Sequence, residues 1–400
     1  MSNTEEIIRI AAKGDGVTAS GLHVAGAAPG DIVTPDGVAE RGLHHVEPAC
    51  QHFGKCGGCE LQHCDEASLT EFVTNRVVHA ARQQGLEAKT VTPVHLSPPN
   101  SRRRATLHAI NGGGRALVGF RERGAHRIVD MKQCHILRPE LFALVEPLRA
   151  YLSKRRDKYA ADIDLILTDQ GVDCAIRNLA IEGLEQTEDL LDFCREHGLA
   201  RLGMDQGYGP ETFWEPEPVT VTLGGVPVPY PSASFLQATL DGEKALAGAV
   251  CEWLADRSRI ADLFSGLGTF AFALARNAEV TACEAARDAV LACKGAASRQ
   301  RISADVQHRD LFRNPLRAEE LAAFDGVVID PPRAGARSQV EQLAQSTLPK
   351  IAYISCNPSS WARDGAILAA NGYELEELRP VGQFRWSTHV ELASLFVKAG

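Results

Sequence analysis

From about residue 240 onward, short apolar runs alternate with helical patterns. The runs SRIADLF, AEVTACE, FDGVVID and KIAYIS read as buried strands, and patterns such as DAVLACKGAASRQ lie between them. Parallel strands need a crossover connection, usually a helix, so this alternation predicts a parallel, doubly wound sheet. In such sheets the ligand lies beyond the carboxyl ends of the strands. We therefore expect the chemistry of this segment at those ends.

The rest of the chain differs from this segment in its pattern. Residues 1–48 are Gly-rich with short alternating runs, which predicts a small all-β unit. In residues 49–230 strands and helices mix, and the segment begins with the cysteine-dense CQHFGKCGGCELQHC. We interpret it as a central α+β domain, and residues 231–400 as the doubly wound domain. A chain of 400 residues has room for this three-part α/β arrangement.

Composition limits the classes of protein to which the chain can belong. No run of about 20 apolar residues is present, and the start MSNTEEIIRI is acidic, so we expect a cytoplasmic protein without a membrane partner. The net charge of −9 argues against coating nucleic acid by bulk charge. In a reducing compartment, clustered cysteines are ligands more often than disulfides.

The stretch DLFSGLGTFAFALA is typical of a nucleotide-binding loop. Gly266 and Gly268 let the backbone turn tightly and approach a ligand at a helix N-terminus. Glu284 follows the next strand, 18 residues after Gly266, where an acid holds ribose hydroxyls. The pattern also fits the loose dinucleotide fingerprint, so a nicotinamide enzyme remains an alternative at this point.

Two acids favour S-adenosylmethionine as the ligand. Asp310, in HRDLF, is positioned to reach an adenine amino group, and Asp330, in VVIDPPRAGA, ends a strand. Neither proline of Asp-Pro-Pro has a backbone donor, so the motif is poorly suited to a helix or strand interior. It holds the Asp330 carboxylate rigidly, which predicts a functional carboxylate there.

Cys356 ends the next apolar run and is followed at once by Asn-Pro, so it lies at a rim rather than in a core. A thiolate at that position can attack an electrophilic ring carbon. Glu391, in THVELASLF, is an acid in an apolar run, where burial would raise its pKa towards that of a useful base. A thiol nucleophile, a carboxylate base and a methyl donor together indicate methylation of a pyrimidine at C5.

Four motifs, DLFSGLGTF, DPPRAGA, ISCNPSSWARD and HVEL, closely resemble those of the bacterial RNA 5-methyluridine methyltransferases and occur in the family order. The resemblance implies a Rossmann-like, S-adenosylmethionine-dependent methyltransferase domain, with Cys356 as nucleophile and Glu391 as base. It implies that the methyl donor is bound by Gln237, Phe264, Thr269, Glu284, Asp310 and Asp330. Thr269 replaces an asparagine that is more usual in this loop.

The resemblance also bears on the substrate. Related RNA 5-methylcytosine enzymes usually carry a second cysteine next to the proline of the Asp330 loop, and DPPRAGA has none, which favours uracil. Two alternatives remain: the same chemistry on the T-loop uridine of transfer RNA, and a non-catalytic RNA-binding factor that has kept the fold. A binder would need neither Cys356 nor Glu391.

Cys50, Cys56 and Cys59 have the spacing C-x5-C-x2-C, and Cys134 follows in MKQCHIL. Four thiolates hold either an iron–sulfur cluster or zinc, and spacing alone does not choose between them. Enzymes that this chain resembles and that modify large-subunit ribosomal RNA carry a [4Fe-4S] cluster on this pattern. The resemblance therefore implies such a cluster, 23S ribosomal RNA as partner and a short, OB-like TRAM-type unit at the N-terminus. We expect a monomer.

Overall fold

The structure is a computed structural model that describes residues 4–111, 114–207 and 209–399. Up to residue 100 the chain forms β1 (Glu5–Ile10), β2 (Gly16–Thr18), β3 (His23–Val24), β4 (Ile32–Thr34), β5 (Gly37–Glu40), α1 (Glu66–Gln83), β6 (Thr90–Val91) and β7 (His95–Leu96). Residues 101–230 form β8 (Arg104–Asn111), β9 (Ala116–Gly119), α2 (Pro139–Phe142), α3 (Val145–Ser153), β10 (Ala160–Thr168), β11 (Gly171–Arg177), α4 (Gly183–Glu196), β12 (Arg201–Asp205), β13 (Pro210–Trp214), β14 (Thr220–Leu223) and β15 (Val226–Pro229).

The C-terminal part has the predicted strand–helix rhythm. Its elements are α5 (Leu240–Trp253), β16 (Arg259–Leu263), α6 (Thr269–Leu274), β17 (Glu279–Glu284), α7 (Arg287–Gln300), β18 (Ala304–His308), α8 (Ala318–Leu321), β19 (Gly326–Ile329), α9 (Arg337–Gln345), β20 (Lys350–Ser355), α10 (Pro358–Ala370), β21 (Tyr373–Gly382) and β22 (Glu391–Lys398). No helix in the described ranges is both long and apolar enough to cross a membrane.

The chain divides into two compact units, each made of several chain segments. The first comprises Met1–Phe72, Pro98–Thr220 and the short segment Phe384–Thr388. The second comprises Val73–Ser97, Val221–Gln383 and His389–Gly400. The borders inferred from the sequence, at residues 48 and 230, stay a prediction.

The first unit begins with the predicted β unit, a five-stranded sheet of order β3-β2-β1-β4-β5. All its neighbouring strands are antiparallel. Its core is small, with Ile7, Val24, Ala27 and Val33 buried together. The buried carboxylate of Asp31 accepts hydrogen bonds from two backbone N–H groups and from the His45 ring, at 2.7–2.8 Å. A buried carboxylate is tolerated only when it is bonded in this way, so Asp31 organises the turns around this sheet.

A second sheet of the first unit has the order β13-β12-β11-β10-β8-β9 and forms the central α+β part. Strand β8 alternates, with Ala105, Leu107 and Ala109 buried, as expected where one face meets a core. Leu148 and Leu152 of α3 are buried in the same core. Inside this unit, Arg201 on β12 donates two hydrogen bonds to the buried carboxylate of its cross-strand neighbour Asp173 on β11.

The second unit contains the doubly wound sheet, of order β18-β17-β16-β19-β20-β22-β21-β6, with β7 also pairing with β21. All four residues of β19 are buried, as expected for a strand covered on both faces. Neighbouring strands from β18 to β20 are parallel, but β22 runs antiparallel to both β20 and β21. The α/β class and the doubly wound C-terminal domain are confirmed, whereas the expectation of a purely parallel sheet misses this reversed strand.

We predict that Arg201→Leu destabilises the protein by about 3–5 kcal/mol, because it leaves the Asp173 carboxylate buried without its partner. The Asp173 and Arg201 side chains are only 3% and 7% exposed. Urea unfolding measures the change. The control is Arg127→Leu, which breaks a pair whose arginine is 81% exposed and should cost at most about 1 kcal/mol. Equal losses in the two variants would contradict the prediction.

Candidate active site

Within the second unit, the strands of the doubly wound sheet end at the residues that the sequence singled out. Phe264 follows β16, Glu284 ends β17, Asp330 follows β19 and Cys356 follows β20. These strands are parallel, so their carboxyl ends meet at one edge of the sheet. Asp310 follows β18, a strand that the sequence analysis missed because its residues, ADVQH, are mostly polar and half-exposed.

The loop between β16 and α6 has backbone angles that favour glycine. Gly266 and Gly268 have φ of 54° and 89°, and Phe264 adopts a positive φ of 63°. A Cβ at Gly268 would lie 2.7 Å from the Phe272 ring, so only glycine fits there. Thr269 is the first residue of α6. The loop thus brings backbone N–H groups to the strand-end edge, as a nucleotide site requires.

Glu284 is anchored to this loop by both carboxylate oxygens. Its Oε2 accepts a hydrogen bond from the Gly266 N–H at 2.9 Å, and its Oε1 accepts one from the Ala286 N–H at 2.7 Å. Each oxygen keeps a second lone pair with which to accept a hydroxyl proton. The arrangement suits recognition of ribose hydroxyls beside the glycines.

Asp310 and an aromatic pair lie beyond β18. The Asp310 Oδ1 accepts hydrogen bonds from the backbone N–H groups of Phe312 (3.0 Å) and Arg313 (3.3 Å). Phe312 is 51% exposed, and its ring lies 5.3 Å from that of Phe264. The sequence analysis missed Phe312. The signal that could have identified it is an aromatic residue two positions after an acid at a strand end. An exposed aromatic pair beside an acid suits a purine ring.

Cys356 and Glu391 lie close together because of the strand register. Ser355 of β20 pairs with Leu392 of β22, so the next step along both strands sets Cys356 opposite Glu391. Glu391 begins β22 and is 4% exposed, and Cys356 is half-buried. The sheet reversal thus brings a thiol and a carboxylate to the same edge, where one can add to a ring carbon and the other can remove a proton from the neighbouring carbon.

The charges around Cys356 are predominantly negative. Burial, together with the charges of Glu391 and Asp330, raises the pKa of its thiol to about 11, whereas Arg333 opposes the rise. Burial also raises the pKa of Asp330 well above its ordinary range, with Glu391 and Asp262 adding to the effect. Cys356, Glu391 and Asp330 therefore form one electrostatically coupled group.

Asp262, which the sequence analysis left without a role, lies under this group at the end of β16. It is fully buried, and burial raises its pKa to about 7, with the charge of Glu284 contributing. The acid in DLFSGLG was visible in the sequence, but its burial was not.

Gln237 contacts Asp330 directly, and a second amide, that of Gln383, contacts Gln237. The Gln237 Nε2 donates a hydrogen bond to Asp330 Oδ2 at 3.4 Å, and its Oε1 accepts one from Gln383 Nε2 at 2.9 Å. The Ala238 N–H donates to Gln383 Oε1 at 3.0 Å. Gln237 and Gln383 are 3% and 2% exposed. Nothing in the sequence around Gln383 distinguished it from an ordinary surface amide.

The cysteine set lies in the first unit. Cys50, Cys56, Cys59 and Cys134 line a common cavity and are partly buried free thiols. Burial raises the pKa of Cys59 to about 12, and the other three sulfurs contribute to the rise, so the four thiols interact electrostatically. Among the residues that the structure describes, no three His, Cys, Asp or Glu side chains already form a metal-binding group.

Comparison with known proteins agrees with this geometry. A family model described as tRNA (Uracil-5-)-methyltransferase matches residues 230–399. An uncharacterized RNA methyltransferase of Zymomonas mobilis is 47% identical over 98% of this chain and 100% of its own. The 23S rRNA (uracil(1939)-C(5))-methyltransferase RlmD of Pectobacterium atrosepticum is 30% identical over 88% of this chain and 80% of its own.

The fold has a solved counterpart that spans nearly the whole chain. It is the tRNA (uracil-54, C5)-methyltransferase of Pyrococcus abyssi in complex with S-adenosyl-L-homocysteine, with a TM-score of 0.79 and 24% identity over 98% of this chain and 99% of that one. The relatives in sequence show that this chain belongs to the RNA (uracil-5-)-methyltransferase family and is an S-adenosylmethionine-dependent RNA (uracil-C5) methyltransferase.

Proposed function

We propose that this enzyme methylates C5 of a uridine in 23S ribosomal RNA, with Cys356 as the nucleophile and Glu391 as the base. The observation that carries the mechanism is the register of β20 and β22, which sets the two side chains opposite each other. The electrostatic interaction of Cys356 with Glu391 and Asp330 reflects the same proximity of the three side chains.

The mechanism follows from the weak nucleophilicity of uracil C5. Cys356 adds to C6 as its thiolate, and the electrons move onto C4–C5 as an enolate whose C5 forms the bond to the methyl group. Glu391 then removes the C5 proton, the C5–C6 double bond re-forms, and the Cys356 sulfur leaves. When bound, S-adenosylmethionine would supply the electrophilic methyl group, its S–CH3 bond breaking so that it leaves as S-adenosylhomocysteine.

The donor site that we propose consists of Gln237, Phe264, Thr269, Glu284, Asp310 and Asp330. Glu284 accepts from the ribose hydroxyls beside Gly266, and Asp310 accepts from the adenine amino group. The exposed ring of Phe312 extends the aromatic surface of Phe264 towards the adenine. The remaining three residues lie between this nucleotide-binding half and the reacting carbon.

The choice of 23S ribosomal RNA is supported by two observations. The Pectobacterium relative carries that substrate in its name and matches 88% of this chain. The cysteine set is the second, because the ribosomal-RNA members of the family carry four cysteines in this pattern. Transfer RNA is the second candidate, since the matching family model is described by that substrate.

The four cysteines fit an iron–sulfur cluster. Four thiolates hold either a [4Fe-4S] cluster or zinc, and here four thiols line one cavity. The resemblance of the cysteine pattern to that of the ribosomal-RNA members of the family favours the cluster. We propose that Cys50, Cys56, Cys59 and Cys134 hold this cluster. Its role would be structural, because it joins residues 50–59 to Cys134.

The substrate is tested with transcripts that carry uridine tritiated at C5. We expect the purified enzyme with S-adenosylmethionine to release tritium from 23S fragments and not from transfer RNA. Release from transfer RNA alone would agree with the proposed chemistry but contradict 23S ribosomal RNA as the substrate. The control is Cys356→Ala, which should release no tritium while S-adenosylmethionine binding, followed by calorimetry, stays within about twofold of the wild type.

We predict that Glu391→Gln accumulates a covalent protein–RNA adduct, because methyl transfer precedes proton removal and elimination. Denaturing gels detect the adduct as a band of reduced mobility. The double variant Glu391→Gln with Cys356→Ala should form none. Turnover of the single variant near the wild-type rate, without adduct, would show that Glu391 is not the base.

Cys59→Ala is expected to lose most of the bound iron and the broad visible absorbance of the purified protein, because one of four cluster ligands is removed. Iron and zinc analysis of protein purified without oxygen measures this. Cys64→Ala is the matched control, since Cys64 is buried nearby but does not line the cavity. If the wild type instead contained stoichiometric zinc, the result would contradict the cluster and indicate a zinc site.

A further inference from the structure

We propose that Gln383 is a positioning residue that fixes the direction of the Gln237 amide and thereby makes the site select uracil over cytosine. The inference rests on the proposed function, and it extends the role of Gln237 and Asp330 from the proposed donor site to recognition of the reacting pyrimidine. Gln383 has not been given a part in the chemical steps. The inference assigns to it the discrimination between the two pyrimidines.

The direction of both amides follows from one backbone group. The Ala238 N–H is only a donor, so the atom of Gln383 that it contacts at 3.0 Å must be the carbonyl oxygen. The NH₂ group of Gln383 then points to Gln237 at 2.9 Å, so Gln237 must present its own carbonyl oxygen there. The NH₂ group of Gln237 is therefore directed at Asp330. Each step in this chain is forced by the one before it.

Packing holds Gln383 in place for this role. Its side chain is 2% exposed and lies against the first turn of α5. A Cβ at Gly242 would lie 2.8 Å from the Gln383 Cβ and 3.1 Å from its Oε1, so the side chain needs a glycine at that position. The Thr239 hydroxyl, which caps α5 by accepting from the Gly242 N–H, borders the same space. The packing therefore restricts the side-chain rotamers of Gln383, and the hydrogen bond from the Ala238 N–H sets the direction of its amide.

The directed amide produces a donor beside an acceptor. The NH₂ group of Gln237 donates and the Asp330 carboxylate accepts, and Asp330 interacts electrostatically with Cys356. Uracil presents the complementary pair, an O4 acceptor beside an N3–H donor. Cytosine presents the opposite pair, an N4 amino donor beside an N3 acceptor. A reversed Gln237 amide would offer its oxygen, which suits the cytosine amino group.

A site built to hydrogen-bond one pattern rejects the other, because buried polar groups are then left unpaired. Gln383 excludes the reversed orientation of the Gln237 amide. Its side chain is therefore a determinant of specificity. This role differs from a catalytic one: losing it should change which base is accepted, without removing the nucleophile or the base.

The test uses Gln383→Met, which keeps the length of the side chain and removes both polar atoms. The substrate is an RNA that the wild type methylates, prepared with uridine or with cytidine at the modified position, and transfer is followed with labelled S-adenosylmethionine. We expect the ratio of kcat/KM for uridine to that for cytidine to fall about 10- to 100-fold. An unchanged ratio would overturn the inference.

A double-mutant cycle separates positioning from general damage. If Gln383 acts through Gln237, the change in the ratio should disappear in the Gln237→Ala background, since no amide is left to direct. The same fold-change in both backgrounds would overturn the inference. A wild type that methylates neither 23S fragments nor transfer RNA would instead overturn the proposed function, and with it this inference.

Two glycines of α5 supply a second, matched comparison. Gly242→Ala places a methyl group against Gln383 and should lower the ratio in the same direction. Gly248→Ala puts the same group into open space on the same helix and should leave the ratio unchanged. Thermal unfolding of both variants reports on folding. Equal ratios for the two alanine variants would count against a positioning role of Gln383.

Discussion

The active site depends on one departure from the parallel sheet, the reversed strand β22. If β22 ran parallel to its neighbours, its first residue, Glu391, would lie at the edge opposite to the carboxyl ends of the other strands. Because β22 runs antiparallel between β20 and β21, its first residue lies at the same edge as the last residues of β20. The backbone hydrogen bonds of two strand pairs therefore hold the carboxylate opposite Cys356. The short segment Phe384–Thr388 connects β21 to His389 and belongs to the first unit, so the chain leaves the sheet and returns just before Glu391.

This arrangement brings several acidic groups together at a partly buried site, and their pKa values are raised as a result. Asp330 has a raised pKa because it is buried near Glu391 and Asp262, and the Cys356 thiol has one because it is buried near Glu391 and Asp330. A thiol pKa of about 11 means that the free protein carries Cys356 mainly as the unreactive thiol near neutral pH.

Within the first unit, other chain segments hold the segment Phe384–Thr388 in place. The Trp386 carbonyl accepts hydrogen bonds from the Glu60 and Leu61 N–H groups, at 2.8 and 2.9 Å. Arg102 lies over the Phe384 ring and interacts electrostatically with Cys134 and Cys59. The cysteine segment and the segment Phe384–Thr388 are thus parts of one folded unit. Residues that are hundreds of positions apart are joined by a few backbone bonds and one stacked guanidinium.

The sequence by itself determined the local elements and their chemistry. The apolar runs of β16, β17, β19 and β20 predicted the doubly wound sheet, and the residue types at their ends predicted a thiol, carboxylates and a glycine loop at one edge. Strands β18 and β21 were missed, because polar residues conceal their pattern. Only the tertiary structure decided the reversal of β22, the pairing of Gln383 with Gln237 and the space left by Gly242. The physical reason is range: periodicity and turn chemistry are properties of neighbouring residues, whereas strand direction, hydrogen-bond partners and packing space depend on residues far away in the chain.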